Sequence, residues 1–185
     1  MKKKILIIAA AAALLMTGCN ADPNAPTGMK TASGEGADYT LFVPEDWTVD
    51  ITTGATGAYY SNADTSGVLV TTWDLPHTDT TLDEWWETNQ QEIQSVYQDV
   101  QVEGSENILI DGNHGVKYTW TGTLGAYTYR VLQAATAKNG SVYLFTYTSL
   151  PELYESHMED VDQMLEFWLI PYLTSPKLWN IRKML

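Results

Sequence analysis

Apolar and polar residues alternate over short stretches through most of the chain after residue 38, with the period of two that is typical of β-strands. Clusters of Gly, Pro, Asn and Asp separate these stretches, as expected for turns. Asn139-Gly140 is a strong hairpin signal, because both positions tolerate the positive φ angles of a type I′ turn. We expect the aromatic residues of 127–131 and 143–147 to lie across this hairpin from each other. Strands are predicted over residues 39–43, 47–51, 58–61, 67–73, 100–103, 107–110, 114–121, 127–135 and 141–148.

Two stretches instead have the 3.6-residue period of an amphipathic helix. The first, over residues 82–98, opens with Thr81 and Glu84 at the spacing of a capping box, in which a hydroxyl and a carboxylate satisfy free backbone N–H groups. The second begins at the same spacing of Ser149 and Glu152 and extends to about residue 168. Hairpin-linked strands with two apolar helix faces to bury predict an α+β fold, in which helices flank an antiparallel sheet.

The N-terminal residues have the pattern of a secretory signal peptide. Lysines at 2–4 precede an apolar run over residues 5–16, and small residues lead to Cys19. The segment 15–19 (LMTGC) resembles a bacterial lipobox, which implies a signal peptide over residues 1–18 and a lipid such as palmitate on Cys19. A buried helix and an uncleaved membrane span are the alternatives, but twelve apolar residues are fewer than the ~20 of a spanning helix.

Lipidation of Cys19 implies that the protein is anchored on the extracytoplasmic side of a membrane in the bacterial cell envelope. Residues 19–38 are predicted to form a flexible linker, because Gly, Pro, Ala, Ser, Thr and Asn dominate and little apolar surface is available to bury. Cys19 is the only cysteine, so a lipid on it leaves no thiol for a disulfide. Residues 169–185 form a C-terminal tail to which no structure is assigned.

Acidic residues outnumber basic ones by 23 to 10, for a net charge of −13. Removal of the lysines at 2–4 with the signal peptide makes the charge more negative. This balance disfavours binding to nucleic acid, whose phosphates attract Lys and Arg, and binding along anionic lipid. Two interpretations stay open: the charge serves solubility alone, or the partner or ligand is cationic.

Several short segments resemble the PsbP-like domain family. The segment 42–47 (FVPEDW) is similar to the family's opening motif of an apolar residue, Pro and Trp, and 82–85 (LDEW) resembles its first helix. The segments 110–115 (IDGNHG) and 142–148 (VYLFTYT) resemble a hairpin and the last strand. The resemblance implies an α/β/α sandwich over residues 39–168. It also implies a protein that binds or stabilises other proteins, and it brings no cofactor.

The sequence contains only weak signals for a catalytic site or a metal-binding site. A hydrolase needs a nucleophile beside a base that a third group orients, and the histidines at 77, 114 and 157 stand in unlike contexts that suggest three solvated side chains. We therefore expect no enzyme activity and no catalytic residue. The loop 74–84 contains four acids and one histidine: Asp74, His77, Asp79, Asp83 and Glu84. These side chains could bind a divalent cation, or the acids could instead cap the following helix and interact with its dipole. We expect the acids to cap the helix, and we therefore predict no metal ligand.

Aromatic residues are the other candidates for a binding surface. Trp85 and Trp86 are adjacent and point about 100° apart on a helix, so one is expected in the core and the other partly exposed. Trp120, near Tyr118, is a candidate platform for stacking a sugar or a peptide. These features predict a non-enzymatic, membrane-anchored envelope protein that binds a partner protein. The alternative is a solute- or glycan-binding lipoprotein with a concave pocket.

Overall fold

A computed structural model describes residues 22–34, 36–50, 55–77 and 79–171. The predicted signal peptide, Cys19 and all of the tail beyond residue 171 lie outside the described residues. Within the described part, no helix is both long and apolar enough to cross a membrane.

The core of the structure is a seven-stranded antiparallel sheet with the order β3-β4-β5-β9-β8-β7-β6, beside a two-stranded sheet of β1 and β2. Helices pack on both faces of the large sheet. The predicted α+β fold, an antiparallel sheet flanked by helices, is therefore confirmed. The elements are β1 (Met29–Thr31), β2 (Phe42–Pro44), β3 (Thr48–Asp50), β4 (Thr56–Tyr59), β5 (Gly67–Asp74), α1 (Leu82–Val96), β6 (Gln98–Ile110), β7 (Asn113–Leu124), β8 (Tyr127–Lys138), β9 (Ser141–Ser149) and α2 (Met158–Glu166).

Strand β9 shows how the sequence builds both layers, because its side chains alternate between the two faces of the sheet. Tyr143, Phe145 and Tyr147 belong to the cluster that includes residues of α2. Val142 and Leu144 belong to a cluster on the face of α1. Both faces are apolar, so this strand is buried on both sides and each helix covers one of them.

The predicted capping box of α1 is confirmed. The Glu84 backbone N–H donates to Thr81 Oγ1 at 3.2 Å, and the Thr81 backbone N–H donates to Glu84 Oε2 at 2.8 Å. The helix ends at Val96, two residues before the predicted boundary, and Tyr97 follows in an extended conformation. The cap fixes where α1 starts and therefore which residues face the sheet.

The second predicted helix is wrong in its first part. A turn and a short 3-10 helix (Tyr154–His157) precede α2, which covers only Met158–Glu166. Ser149 is the last residue of β9, and its hydroxyl bonds the Ser66 hydroxyl at 2.7 Å and the Leu150 carbonyl. Because those contacts hold the side chain of Ser149 within the sheet, the serine does not cap a helix.

The predicted flexible linker is wrong for its central residues. Strand β1 pairs with β2, placing Met29 opposite Pro44 and Thr31 opposite Phe42. Met29 and Ala32 are buried in the core. The beginning of the C-terminal tail is also packed, since Thr40 bridges to Leu169 and Ile170 is fully buried. The folded domain therefore extends beyond the expected limits of 39–168 on both sides.

Two details of the predicted sheet also change. Residues 100–103 and 107–110 lie in one strand, β6, whose irregular register at Gln98/Gln101 and Val102/Gly104 marks bulges. The Asn139-Gly140 turn has the expected positive φ values of 56° and 83°. However, its register pairs Tyr147 with Leu132. The expected aromatic pairing across the hairpin is therefore wrong.

Candidate functional site

A groove of about 480 Å³ lies between α1 and the outer strands β6 and β7. We call it the α1 groove. Acidic and polar side chains form its rim, and aromatic and aliphatic side chains form its floor. Its main lining residues are Asp83, Trp86, Glu87, Val102, Glu106 and Tyr118.

Trp86 and Tyr118 form the aromatic floor of the α1 groove. Their rings stack with centroids 3.6 Å apart and planes 8° apart. Trp86 is 7% exposed and Tyr118 is 5% exposed, because the helix lies directly over β7. As expected from their spacing, Trp86 is buried while Trp85 is only partly so. The stack therefore holds α1 in place and closes the bottom of the groove.

The hydroxyl of Tyr118 is the unusual polar group of the groove. It has no hydrogen-bond partner among the described residues. The ring is almost fully buried, but the oxygen reaches the groove surface, because among the described residues only Trp168 Nε1 is a buried side-chain polar atom without a partner. Burial, followed by the negative charge of Asp83, raises the pKa of Tyr118 to about 12. The phenol is therefore neutral at pH 7 and keeps both a donor and an acceptor for a group that enters the groove.

Two rim carboxylates lack a cation. Asp83 and Glu87 make no ion pair with any described residue, whereas Glu106 pairs with Lys117. The remaining basic residues of the described chain are engaged elsewhere: Lys30 with the Glu45 carbonyl, Arg130 with Glu103 and Glu155, and Lys138 with Asp111. The rim therefore carries uncompensated negative charge.

The sequence predicts other roles for Asp83 and Trp86. It predicts a capping role for Asp83 and a core or partly exposed position for Trp86, whereas Glu106 and the Tyr118 hydroxyl have no predicted role. The groove brings residues of α1 together with residues of β6 and β7, which are up to 35 positions away in the chain. One available signal is the i, i+4 spacing of Asp83 and Glu87, which places both on one helix face beside Trp86.

Trp120 does not form the predicted stacking platform, because it is only 2% exposed. Its indole N–H donates to Gln133 Oε1 at 3.2 Å, and the same oxygen accepts from Asn89 Nδ2 at 3.2 Å. The ring also packs edge-on against Tyr97. Trp120 is thus a core residue in a satisfied polar network beneath α1.

His157 is buried, so the expectation of three solvated histidines is wrong for this residue. Its Nε2 lies 2.7 Å from Asp64 Oδ2, and its ring centroid lies 4.3 Å from that of Tyr60. Burial alone raises the pKa of Asp64, but hydrogen bonds from Ser66 and His157 outweigh burial and lower it overall. The pair connects the 3-10 helix before α2 to the turn between β4 and β5. His77 and His114 are exposed, as expected.

The acidic loop 74–84 does not assemble a metal site in the described residues, which contain no group of three or more His, Cys, Asp or Glu able to hold an ion. Asp74 accepts a hydrogen bond from the Ser141 hydroxyl at 3.2 Å. Glu84 caps α1, Asp83 lines the α1 groove, and His77 is exposed. These side chains do not converge on one point, so the cation-binding alternative gains no support.

Three solved structures resemble this fold. Cyanobacterial PsbP (CyanoP) from Synechocystis matches with a TM-score of 0.59 and 12% identity over 84% of this chain and 99% of its own. A protein of unknown function from Pseudomonas aeruginosa, described as a putative regulator, has a TM-score of 0.56 and 14% identity, covering 80% and 99% of the respective chains.

LpqN of Mycobacterium tuberculosis matches with a TM-score of 0.54 and 15% identity over 72% of this chain and 83% of its own. No protein-family model matches the chain, and no curated protein matches its sequence. At these identities the likeness shows the fold alone, which is PsbP-like.

Proposed function

We propose that the protein is a non-enzymatic lipoprotein of the bacterial envelope whose PsbP-like domain binds a partner protein. A lipid on Cys19 anchors it on the extracytoplasmic side of a membrane. The observation that carries partner binding is the α1 groove, where an aromatic floor, an unpartnered hydroxyl and uncompensated carboxylates meet on the surface. An apolar floor with a few polar groups that no described residue binds is typical of a docking site.

The envelope location is supported by the lipobox-like segment at 15–19. It is also supported by analogy with LpqN, which is described as involved in cell envelope biogenesis. The anchor is tested with Cys19→Ser. We expect the wild-type chain in the membrane fraction with the mass of a lipid-modified N-terminus, and the variant in the supernatant without that mass. An unmodified wild-type Cys19 would remove the anchor from the proposal.

Partner binding is tested by blocking the α1 groove. Ser105 lies on β6 at the groove and is exposed, so Ser105→Trp fills the groove without disturbing the core. Gln163→Trp, on the exposed face of α2, is the matched control. After cross-linking in envelope membranes, we expect one partner to be captured by the wild type and by Gln163→Trp but not by Ser105→Trp. Equal capture by all three chains would contradict a role for the groove.

Solute binding in the same groove is the second candidate. The groove volume of about 480 Å³ lies within the roughly 300–1,000 Å³ of small-molecule sites, and the Tyr118 hydroxyl offers a directional bond. A screen of sugars, amino acids and polyamines by melting temperature tests it. A shift that Ser105→Trp abolishes, together with no groove-dependent protein capture, would favour this candidate.

A further inference from the structure

The acidic rim of the α1 groove favours a positively charged ligand. Asp83 and Glu87 are four residues apart on α1, where two like charges are neighbours and repel each other. Asp83 also lies in the first turn, where the helix dipole favours an acid, but Glu87 lies in the second turn and gains less. No Lys or Arg of the described chain compensates them. A bound cation would relieve this repulsion.

The Tyr118 hydroxyl at the floor of the groove restricts the type of cation. The Tyr118 oxygen has no partner in the described chain, so it can accept from an N–H or O–H group of a ligand in the groove. Its own proton is then free to point towards a carboxylate such as Asp83, whose charge acts on this phenol. A ligand with several donors in one plane satisfies the phenol and the carboxylates together. A guanidinium has five such donors, whereas an ammonium is a compact point charge.

The apolar lining fits the stem of such a side chain. Val102 is 49% exposed at the groove, although it lies in β6 opposite the buried Trp120 of β7. Arginine buries its aliphatic stem along apolar surface while its charged end stays at a polar rim. A ligand that covered Val102 would therefore remove exposed apolar surface as it neutralised the acids.

We propose that the α1 groove binds an arginine on an exposed segment of the partner protein. The guanidinium lies at Asp83 and Glu87 and donates to the Tyr118 oxygen, and the stem covers Val102. The inference deepens the function proposed above, because it names the chemistry by which the partner is recognised. Charge complementarity with the rim selects this occupant over a neutral one.

The test uses the full chain in detergent and a fluorescein-labelled peptide, Gly-Leu-Arg-Leu-Arg-Gly, at 150 mM salt. A citrulline analogue of the peptide keeps the side-chain shape and removes the charge. Glu87→Gln removes one rim carboxylate. Glu92→Gln, which removes an exposed acid from the same helix outside the groove, is the matched control. Fluorescence anisotropy gives the affinity of each pair, and thermal melts verify that the variants fold.

We expect Glu87→Gln to weaken binding of the arginine peptide about tenfold, whereas Glu92→Gln changes it less than twofold. The citrulline peptide should bind the wild type at least tenfold more weakly than the arginine peptide. Equal losses in the two variants would reduce the effect to general attraction by an acidic protein and overturn the proposal. Equal affinity for the arginine and citrulline peptides would overturn it as well.

Two other occupants are separated by further measurements. Residues 172–185 of this chain include Lys177, Arg182 and Lys183, so a chain lacking residues 172–185 is titrated in parallel. If that deletion raises peptide affinity tenfold, the groove is occupied by the chain's own segment and the partner proposal is wrong. Concentration-dependent dimers that Glu87→Gln disrupts would likewise assign the groove to a second copy. Peptide binding without groove-dependent protein capture would leave arginine recognition standing and refute the proposed function alone.

Discussion

The indole of Trp86 lies almost flat on the phenol of Tyr118, with ring centroids 3.6 Å apart. One ring comes from α1 and the other from β7, so this contact joins the helix layer to the sheet. Burial of the ring beneath Trp86, followed by the charge of Asp83, raises the pKa of Tyr118, so the hydroxyl stays neutral beside an acidic rim. The stack of Trp86 on Tyr118 thus holds the Tyr118 hydroxyl in place at the floor of the groove.

The Tyr118 hydroxyl can be tested separately from the ring. Tyr118→Phe keeps the stack but removes a hydroxyl that no described residue binds, so we expect the free energy of unfolding to change by less than about 0.5 kcal/mol. Affinity for the arginine peptide should fall several-fold. Tyr97→Phe, which removes a hydroxyl from a neighbouring tyrosine outside the groove lining, is the control for both measurements. A loss of more than about 1 kcal/mol in Tyr118→Phe would mean that the hydroxyl serves stability.

The Asp64–His157 pair predicts a specific acid dependence of stability. The folded-state pKa of Asp64 lies below its ordinary value of 3.8. Its contribution is therefore complete above about pH 4 and is lost as the pH falls through the lower, folded-state pKa. Asp64→Asn should cost about 1 kcal/mol at pH 7, and the difference from the wild type should shrink below pH 4.

Urea unfolding between pH 3 and pH 7 measures this difference. Asp162→Asn, which removes an exposed acid of α2, is the control and should show little change at any pH in that range. If the cost of Asp64→Asn stays constant down to pH 3, the carboxylate of Asp64 is not stabilised by His157 and Ser66 as the geometry indicates.

The features that the sequence predicted well depend on local signals. The capping box of Thr81 and Glu84 fixes the start of α1 through contacts within one turn. The Asn139-Gly140 turn requires only backbone conformations that these two residues adopt easily. The continuous apolar run over residues 142–145 identifies β9 as a strand buried on both faces, a property that is visible in the sequence itself.

The features that it missed depend on contacts between distant segments. Nothing near Met29 marks a strand, and β1 exists because β2, 13 residues later, offers a partner. The neighbours of His157 in the sequence suggest a solvated side chain. Its hydrogen-bond partner, Asp64, lies 93 residues away in the chain. The α1 groove combines residues of three elements in the same way. Tertiary contacts of this kind leave no periodic signal in a single chain.

The packing of β1 can be tested with Met29→Ala. Met29 is 5% exposed within the main core cluster, so its truncation should cost about 2–5 kcal/mol of unfolding free energy. Thr27→Ala, at an exposed position two residues earlier, should change stability by less than about 0.5 kcal/mol. Urea denaturation of the full chain measures both variants. Equal stability of the two would restore the interpretation of residues 19–38 as a linker throughout.

Gly115 tests the physical basis of the hairpin segment 110–115, which resembles a PsbP-like motif. A Cβ atom at this position would lie 2.8 Å from the Ala135 carbonyl oxygen and 3.1 Å from Ile110 Cδ1. The first neighbour is backbone of the paired strand β8, and Ile110 is fully buried, so neither moves easily. Gly115→Ala should therefore destabilise the fold by about 1–3 kcal/mol through overpacking.

Gly104→Ala is the matched control, because a Cβ there meets no atom within 4 Å and the residue is also in a strand. This variant should be neutral or slightly stabilising, since alanine reduces the conformational entropy of the unfolded chain. Equilibrium unfolding in urea compares the two substitutions directly. If both cost the same, close approach of β7 to β8 does not require a glycine at position 115. A cost confined to Gly115→Ala makes this glycine a steric requirement of the sheet.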